Sequence, residues 1–289
     1  MANWTAAEVP RQDGRTFVVT GANSGLGAST ARELARVGAH VVLACRNLDK
    51  GKAAADTMPG SVEVRQLDLA DLSSVRTFAA ESAPLDVLVN NAGVMAVAHA
   101  TTADGFEMQI GTNHLGHFAL TGLLLPKISD RVVTLSSNAH RVGRVRLDDL
   151  NWEHRIYRRW PAYAQSKLAN LLFAYELNRR LVATRSAVRS IAAHPGYAAT
   201  ELGEHSGSLF SRVIRLGDRI LAQPADNGAL ATLYAATMDV PGGSYIGPDR
   251  LLELRGHPKL VRSSPSSRDP DLAGRLWDQS ERLTGIRYP

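Results

Sequence analysis

Tyr163 and Lys167 stand four residues apart in the segment PAYAQSKLANLLFAYEL. If that segment is helical, both side chains share one face. A free tyrosine titrates near pH 10, and a neighbouring ammonium lowers that value by favouring the phenolate. A phenol tuned towards neutrality can give or take a proton at a reacting atom. A lowering of about 3 units requires about 4 kcal/mol of differential stabilisation, so a second positive charge would have to assist one lysine. A tyrosine and a lysine at helical spacing are common by chance, and alone they read as structural.

The second chemical feature is a glycine turn. TFVVT (16–20) reads as a strand and runs directly into GANSGLG (21–27), with a helix from Gly25 to Gly38 behind it. Glycine allows positive φ and lets a phosphate approach the backbone. A helix N-terminus adds free N–H groups and partial positive charge. The order is G-x-x-x-G-x-G rather than the common dinucleotide fingerprint, but strand, turn and helix follow in the order nucleotide binding needs. After the next strand, HVVLA (40–44), the chain reads Cys45-Arg46-Asn47. A site for NAD(H) wants a carboxylate there, for the ribose 2′-hydroxyl. Arg46 can instead take a 2′-phosphate through a charge-assisted fork, which favours NADP(H) and leaves NAD(H) as the alternative. Cys45 reads as a small packed residue.

These groups need a scaffold that brings strand ends together. Further strands are expected at VEVRQL (62–67), DVLVN (86–90), RVVTLS (131–136) and VRSIAA (188–193), with helices from about Asp49 and from Asp71 or Ser73. Near-continuous Val/Ile/Leu runs suit strands covered on both faces. Their alternation with helices predicts an α/β fold, a doubly wound parallel sheet in a single domain over residues 1–289. Residues 1–13 are a lead-in. The Gly/Ser-containing stretch 198–224 is expected to be a movable flap.

In chain order, Thr20 to Gly27, Asn90-Asn91-Ala92-Gly93, Asn113, Ser136-Ser137, Tyr163-x-x-x-Lys167 and Pro195-Gly196 resemble the short-chain dehydrogenase/reductase family. The resemblance covers about residues 14–250. SSNAHRVGRVRLDDLNW, YAQSKLANLLF, HPGYAATEL and RLWDQSERLTG look most like its retinol dehydrogenase-like branch and bacterial relatives. The resemblance implies a Rossmann-like NAD(P)(H)-dependent oxidoreductase acting on an apolar small-molecule carbonyl or alcohol. It makes Tyr163 the acid/base, Lys167 its tuner and the holder of the nicotinamide ribose, and Ser137 the donor to the reacting oxygen. Asn113 would support a relay water. Cofactor contacts would come from Gly21, Asn23, Ser24, Gly25, Leu26, Gly27, Arg46, Asp68, Leu69, Asn91, Ala92, Gly93, Pro195, Gly196, Tyr197 and Thr200, together with Tyr163 and Lys167. On the same scaffold a carbon–carbon double-bond reductase or a non-catalytic cofactor sensor are the rivals. The complete Ser137, Tyr163 and Lys167 set argues against the sensor.

Ser137 and Tyr163 are 26 positions apart, about double the short family spacing. The extra segment, 138–162, holds six arginines against three acids, with Trp152, Tyr157 and Trp160. With 198–224 it is expected to shape an apolar substrate entrance with a basic rim. No nucleic-acid motif accompanies those arginines and aromatics. His114 and His117, three apart on an expected helix, lack a third ligand, so no metal is expected. Leu168, Leu171, Leu172, Phe173, Tyr175, Leu177 and Leu181 form an apolar band wide enough for a buried helix or a homo-oligomer interface.

Composition sets the outer bounds. The 289 residues are 44% hydrophobic and 21% charged, which fits a folded globular chain. The single cysteine excludes an intrachain disulfide framework. No apolar run of 18 residues predicts a membrane-spanning helix, and MANWTAAEVPRQDG lacks the features of a signal peptide. The expected location is therefore cytoplasmic. The net charge of +5 permits anionic partners without pointing to one.

Overall fold

The computed structural model describes residues 3–196 and 225–289. One sheet holds eight strands, β1 (Thr16–Thr20), β2 (His40–Cys45), β3 (Ser61–Gln66), β4 (Leu85–Asn90), β5 (Ile128–Leu135), β6 (Arg189–Ala193), β7 (Tyr245–Arg250) and β8 (Arg255–Leu260). Their spatial order is β3-β2-β1-β4-β5-β6-β7-β8. The pairings are parallel except for β7 with β8. The chain moves outward from β1 to β3, then crosses to β4 on the other side. That reversal leaves a crevice beyond the carboxyl ends of β1 and β4, where ligands of such sheets bind.

The alternation of side chains along the strands divides the core in two. Phe17, Val19, Val41, Leu43, Val87, Val89 and Val133 pack on one face against α1 (Gly25–Arg36) and α7 (Ala225–Thr237). Val18, Val42, Leu88 and Val132 pack on the other against α3 (Leu72–Glu81), α5 (Gly116–Leu124) and α6 (Arg159–Ala183). Helix caps fit their sequence signals. Asn47 caps α2 (Leu48–Ala55) through Lys50 N, and Asp71 caps α3 through Ser73 N and Ser74 N. The lead-in is anchored by Trp4, whose ring meets Tyr234 edge-on at 5.2 Å.

The apolar band of α6 is covered within the chain. Helix α8 (Pro270–Thr284) starts on an Asp269 cap and ends at Gly285 in the left-handed region. Its Trp277 stacks on Phe173 at 5.9 Å, meets Phe118 edge-on at 5.1 Å and lies 4.3 Å from Tyr288. Leu168 and Leu172 pack with Ala273 and Leu276. No helix among the described residues is long and apolar enough to cross a membrane.

Strands β7 and β8 escaped the sequence pattern. YIGPDR and RGHPKL carry Gly247, Pro248 and Pro258 where a Val/Ile run would mark a strand. Pro258 and Lys259 suit β8, which is the last strand of the sheet.

Candidate active site

The glycine turn follows β1, with Gly21 at φ +65° and Gly25 at φ +54°. A Cβ on Gly21 would stand 2.9 Å from that of Ala92. Gly27 serves a different need. A Cβ there would lie 2.4 Å from the Gly21 carbonyl oxygen and 2.5 Å from Asn91 Nδ2, so only glycine lets α1 close onto the strand ends. Asn23, Ser24, Gly25 and Leu26 are half-buried in the same turn. Unlike α2, α3 and α8, α1 has no side-chain cap on its first amides. An uncapped, glycine-lined N-terminus fits a pyrophosphate.

Neighbouring strand ends complete that edge. Arg46 follows β2 and is exposed, without an ion pair or side-chain hydrogen bond among the described residues. Asp68 and Leu69 lie between β3 and α3, and Asp68 Oδ1 accepts from Ala70 N at 2.9 Å. Leu69 is buried, with its carbonyl close against Gly116. After β4, Asn91 Nδ2 donates to the Thr20 carbonyl at 2.7 Å, and Thr20 Oγ1 accepts from Asn91 N and Ala92 N at 2.9 Å each. Gly93 comes next, and a Cβ on it would stand 3.1 Å from Asn113 Oδ1 and 3.5 Å from Lys167 Nζ. Pro195 and Gly196 follow β6, with Gly196 at φ +71°. Tyr197, Thr200 and the expected flap lie outside the described residues.

Asn113 sits in a five-residue π turn, Gly111–Leu115, between α4 (Met108–Ile110) and α5. Such turns recur at functional sites. Its side chain is fully engaged. Oδ1 accepts from Val94 N at 2.8 Å, while Nδ2 donates to Val94 O and Ser166 Oγ at 2.9 Å each. The amide therefore braces the β4 loop against α6, leaving the main-chain oxygen for other partners. That oxygen accepts from His117 Nδ1 at 3.0 Å.

Ser137 follows β5 and opens a short 3-10 turn, Asn138–Val142, with Oγ accepting from Ala139 N at 3.2 Å. Tyr163 and Lys167 lie one turn apart on α6, both buried. Ser136 Oγ donates to the Lys167 carbonyl and Asn170 Nδ2 to the Leu135 carbonyl, locking α6 to the end of β5. The ammonium lies 5.7 Å from the centre of the Tyr163 ring.

The electrostatics depart from the expected lowering of the phenol by its lysine. Burial pushes Tyr163 up to about 12, opposed by a hydrogen bond with Ser137. Burial also pulls Lys167 down to about 8. Desolvation sets both directions, and both groups are pressed towards their neutral forms.

His114 and His117 are committed to other partners. His114 Nε2 meets Ser280 Oγ and His117 Nε2 meets Thr20 Oγ1, each at 2.9 Å. Burial takes them down to about 3 and about 4. The three aromatics of the 138–162 segment differ in burial. Trp152 is only 8% exposed, with the Arg155 guanidinium 3.5 Å over its ring. The Tyr157 hydroxyl bonds with Glu107 and Gln109. Trp160 alone of the three is exposed, at 51%.

One network had no sequence signal. Glu253 pairs with Arg141 at 3.0 Å and lies 3.3 Å from His194 Nε2, joining the β7–β8 turn to the Ser137 turn and the end of β6. Leu251, Leu252 and Glu253 all have positive φ there, and the Glu253 carbonyl accepts from Asn138 Nδ2. Its partners are far away in sequence, so no local spacing marks it.

The short chain dehydrogenase family profile matches residues 15–208 of the chain. The chain belongs to that family. It is 45% identical to human retinol dehydrogenase 13, over 96% of this chain and 86% of that protein. A crystal structure of an uncharacterised protein from Mycobacterium paratuberculosis matches with TM-score 0.89 and 55% identity, covering both chains completely. A Beutenbergia cavernae structure described as an NAD(P)-dependent gluconate 5-dehydrogenase with bound NADP matches with TM-score 0.60 and 28% identity, over 78% of this chain and 91% of that one. The chain is a retinol dehydrogenase-like member and a nicotinamide-dependent oxidoreductase.

Proposed function

We propose that the chain transfers a hydride between NADP(H) and the carbonyl or alcohol carbon of an apolar substrate, with Tyr163 as proton donor and acceptor. The observation that carries this reading is the meeting of Ser137, Tyr163 and Lys167 on α6 and the end of β5, beside the same strand edge as the glycine turn. When bound, NADP(H) supplies the hydride and, once oxidised, a positive charge on its nicotinamide.

The residues suited to hold it are the α1 amides for the pyrophosphate, Asp68 for the adenine and Lys167 for the nicotinamide ribose. The preference for NADP(H) rests on Arg46, an exposed cation without an ion pair among the described residues, where an NAD(H) site wants a carboxylate. In reduction, the Ser137 hydroxyl donates to the substrate oxygen while Tyr163 passes its proton there. Lys167, charged at neutral pH, steadies the phenolate left behind. Oxidation runs the same proton path in reverse, with Tyr163 as the acceptor and Lys167 steadying the phenolate against the burial that holds the phenol high.

The test is a screen of apolar aldehydes, ketones and alcohols with each of the four nicotinamide forms, read at the absorbance band of reduced nicotinamide. Turnover with NADPH or NADP+ that exceeds that with NADH or NAD+ supports the proposal. Turnover that favours the unphosphorylated pair removes the role of Arg46.

A further inference from the structure

We infer that a basic groove beside the candidate active site binds the carboxylate end of an amphiphilic substrate whose carbonyl or alcohol end reaches Tyr163. This rests on the hydride transfer proposed above and narrows its substrate class. The groove has a volume of about 610 Å³, and Val142, Ile156, Trp152 and Pro161 supply its apolar surface. Pro161 lies two positions before Tyr163, and the ring of Trp160, the residue before Pro161, meets the phenol edge-on at 6.2 Å.

Three arginines on the groove, Arg144, Arg146 and Arg158, are exposed and have no ion pair or side-chain hydrogen bond among the described residues. The fourth, Arg155, is already spent. It pairs with Asp149 at 3.1 Å, donates to Gln165 Oε1 and lies over Trp152. The nearby acids Asp148 and Glu153 form no ion pair with the three free arginines. Guanidinium forks match a carboxylate through two parallel hydrogen bonds.

Two further observations point to an anion. Trp152 lines the groove and is more than nine-tenths buried, yet its indole N–H has no acceptor among the described residues. Buried donors are rarely left in that state. Helix α6 also begins on Arg158 and Arg159, with no acid in its first turn and no side-chain cap. Cations at the positive end of a helix oppose its dipole, and a bound carboxylate reverses that cost. Arg158 precedes Tyr163 by five residues, about 7–8 Å along the helix, which a medium-length chain spans.

The experiment compares 8-oxooctanoate with octanal as substrates of the full chain with NADPH, and measures octanoate binding by titration calorimetry without turnover. The inference predicts that kcat/KM for 8-oxooctanoate exceeds that for octanal by at least about tenfold, and that added salt narrows the gap. In the Arg146→Gln/Arg158→Gln variant, with its melting temperature checked, the ratio falls by at least about tenfold and octanoate binding weakens alongside. Arg158→Lys in place of Arg158→Gln restores part of both. Equal turnover of the two aldehydes, or a ratio unchanged in the variant, overturns the inference. If neither aldehyde is reduced while octanoate binds in an arginine-dependent way, the hydride-transfer reading fails and the carboxylate site remains.

Discussion

Thr20 donates its hydroxyl proton to His117. The Thr20 oxygen already accepts the Asn91 and Ala92 N–H groups, so both lone pairs are occupied. His117 Nδ1 faces the Asn113 carbonyl, which can only accept, so the ring proton sits on Nδ1. Nε2 is then the acceptor for Thr20 at 2.9 Å. One neutral imidazole thereby ties the end of β1 to the π turn that carries Asn113. Replacing it with alanine removes the Nδ1–H donor from the Asn113 carbonyl and leaves the Thr20 hydroxyl only the longer contact to the Val89 carbonyl at 3.4 Å, a loss of about 1–3 kcal/mol. Urea denaturation of His117→Ala should show that loss, and an unchanged midpoint would contradict the assignment.

The buried histidines make the fold acid-sensitive. Burial lowers His114 to about 3, and His117 and His140 to about 4, against about 6.5 in the unfolded chain. Well above pH 6.5 neither state is protonated and their contribution is complete. As pH falls from 6.5 towards 4, the unfolded chain gains protons that the folded one refuses, so stability falls by up to about 1.4 kcal/mol per histidine per pH unit. Denaturation midpoints at pH 7, 6 and 5 should decline steadily. A flat profile over that range would show that these rings accept protons without cost.

For the cofactor, Arg46→Ala should weaken NADP(H) by roughly 10- to 100-fold, the value of a charge-assisted contact, and leave NAD(H) nearly unchanged. Binding titrations with both cofactors decide this. Equal weakening would show that Arg46 does not read the 2′-phosphate.

The two tryptophans of the 138–162 segment should separate. Trp152 is buried under Arg155, so its replacement by alanine should cost about 3–5 kcal/mol of stability. Trp160 is exposed beside Tyr163, and Trp160→Ala should change KM across a substrate panel with little loss of stability. Thermal melts and steady-state kinetics on both variants test the division. Equal loss of stability would place Trp160 in the core as well.

What the sequence made legible follows from what is local. Strands β1 to β6 announce themselves because both faces are covered, which demands continuous Val/Ile/Leu runs. The glycine turn, Ser137, Tyr163 and Lys167 are readable because each lies at a strand end or on one helical turn. Strands β7 and β8 were not, since Pro248 and Pro258 hide them. The burial that raises Tyr163 comes from packing across several elements, so spacing suggested its lysine and missed the larger opposing effect. The apolar band of α6 looked wide for a different reason. Its cover, Trp277, lies more than a hundred residues away from Phe173 in the chain.

The central claim is that Tyr163 moves the proton. Tyr163→Phe keeps the ring and its packing but removes the transferable proton. The direct measurement is single-turnover hydride transfer from NADPH to a substrate found in the carbonyl screen, with cofactor affinity measured on the same preparation. The rate should fall by at least about 100-fold while cofactor affinity changes little. A variant that transfers hydride at nearly the wild-type rate would contradict the account.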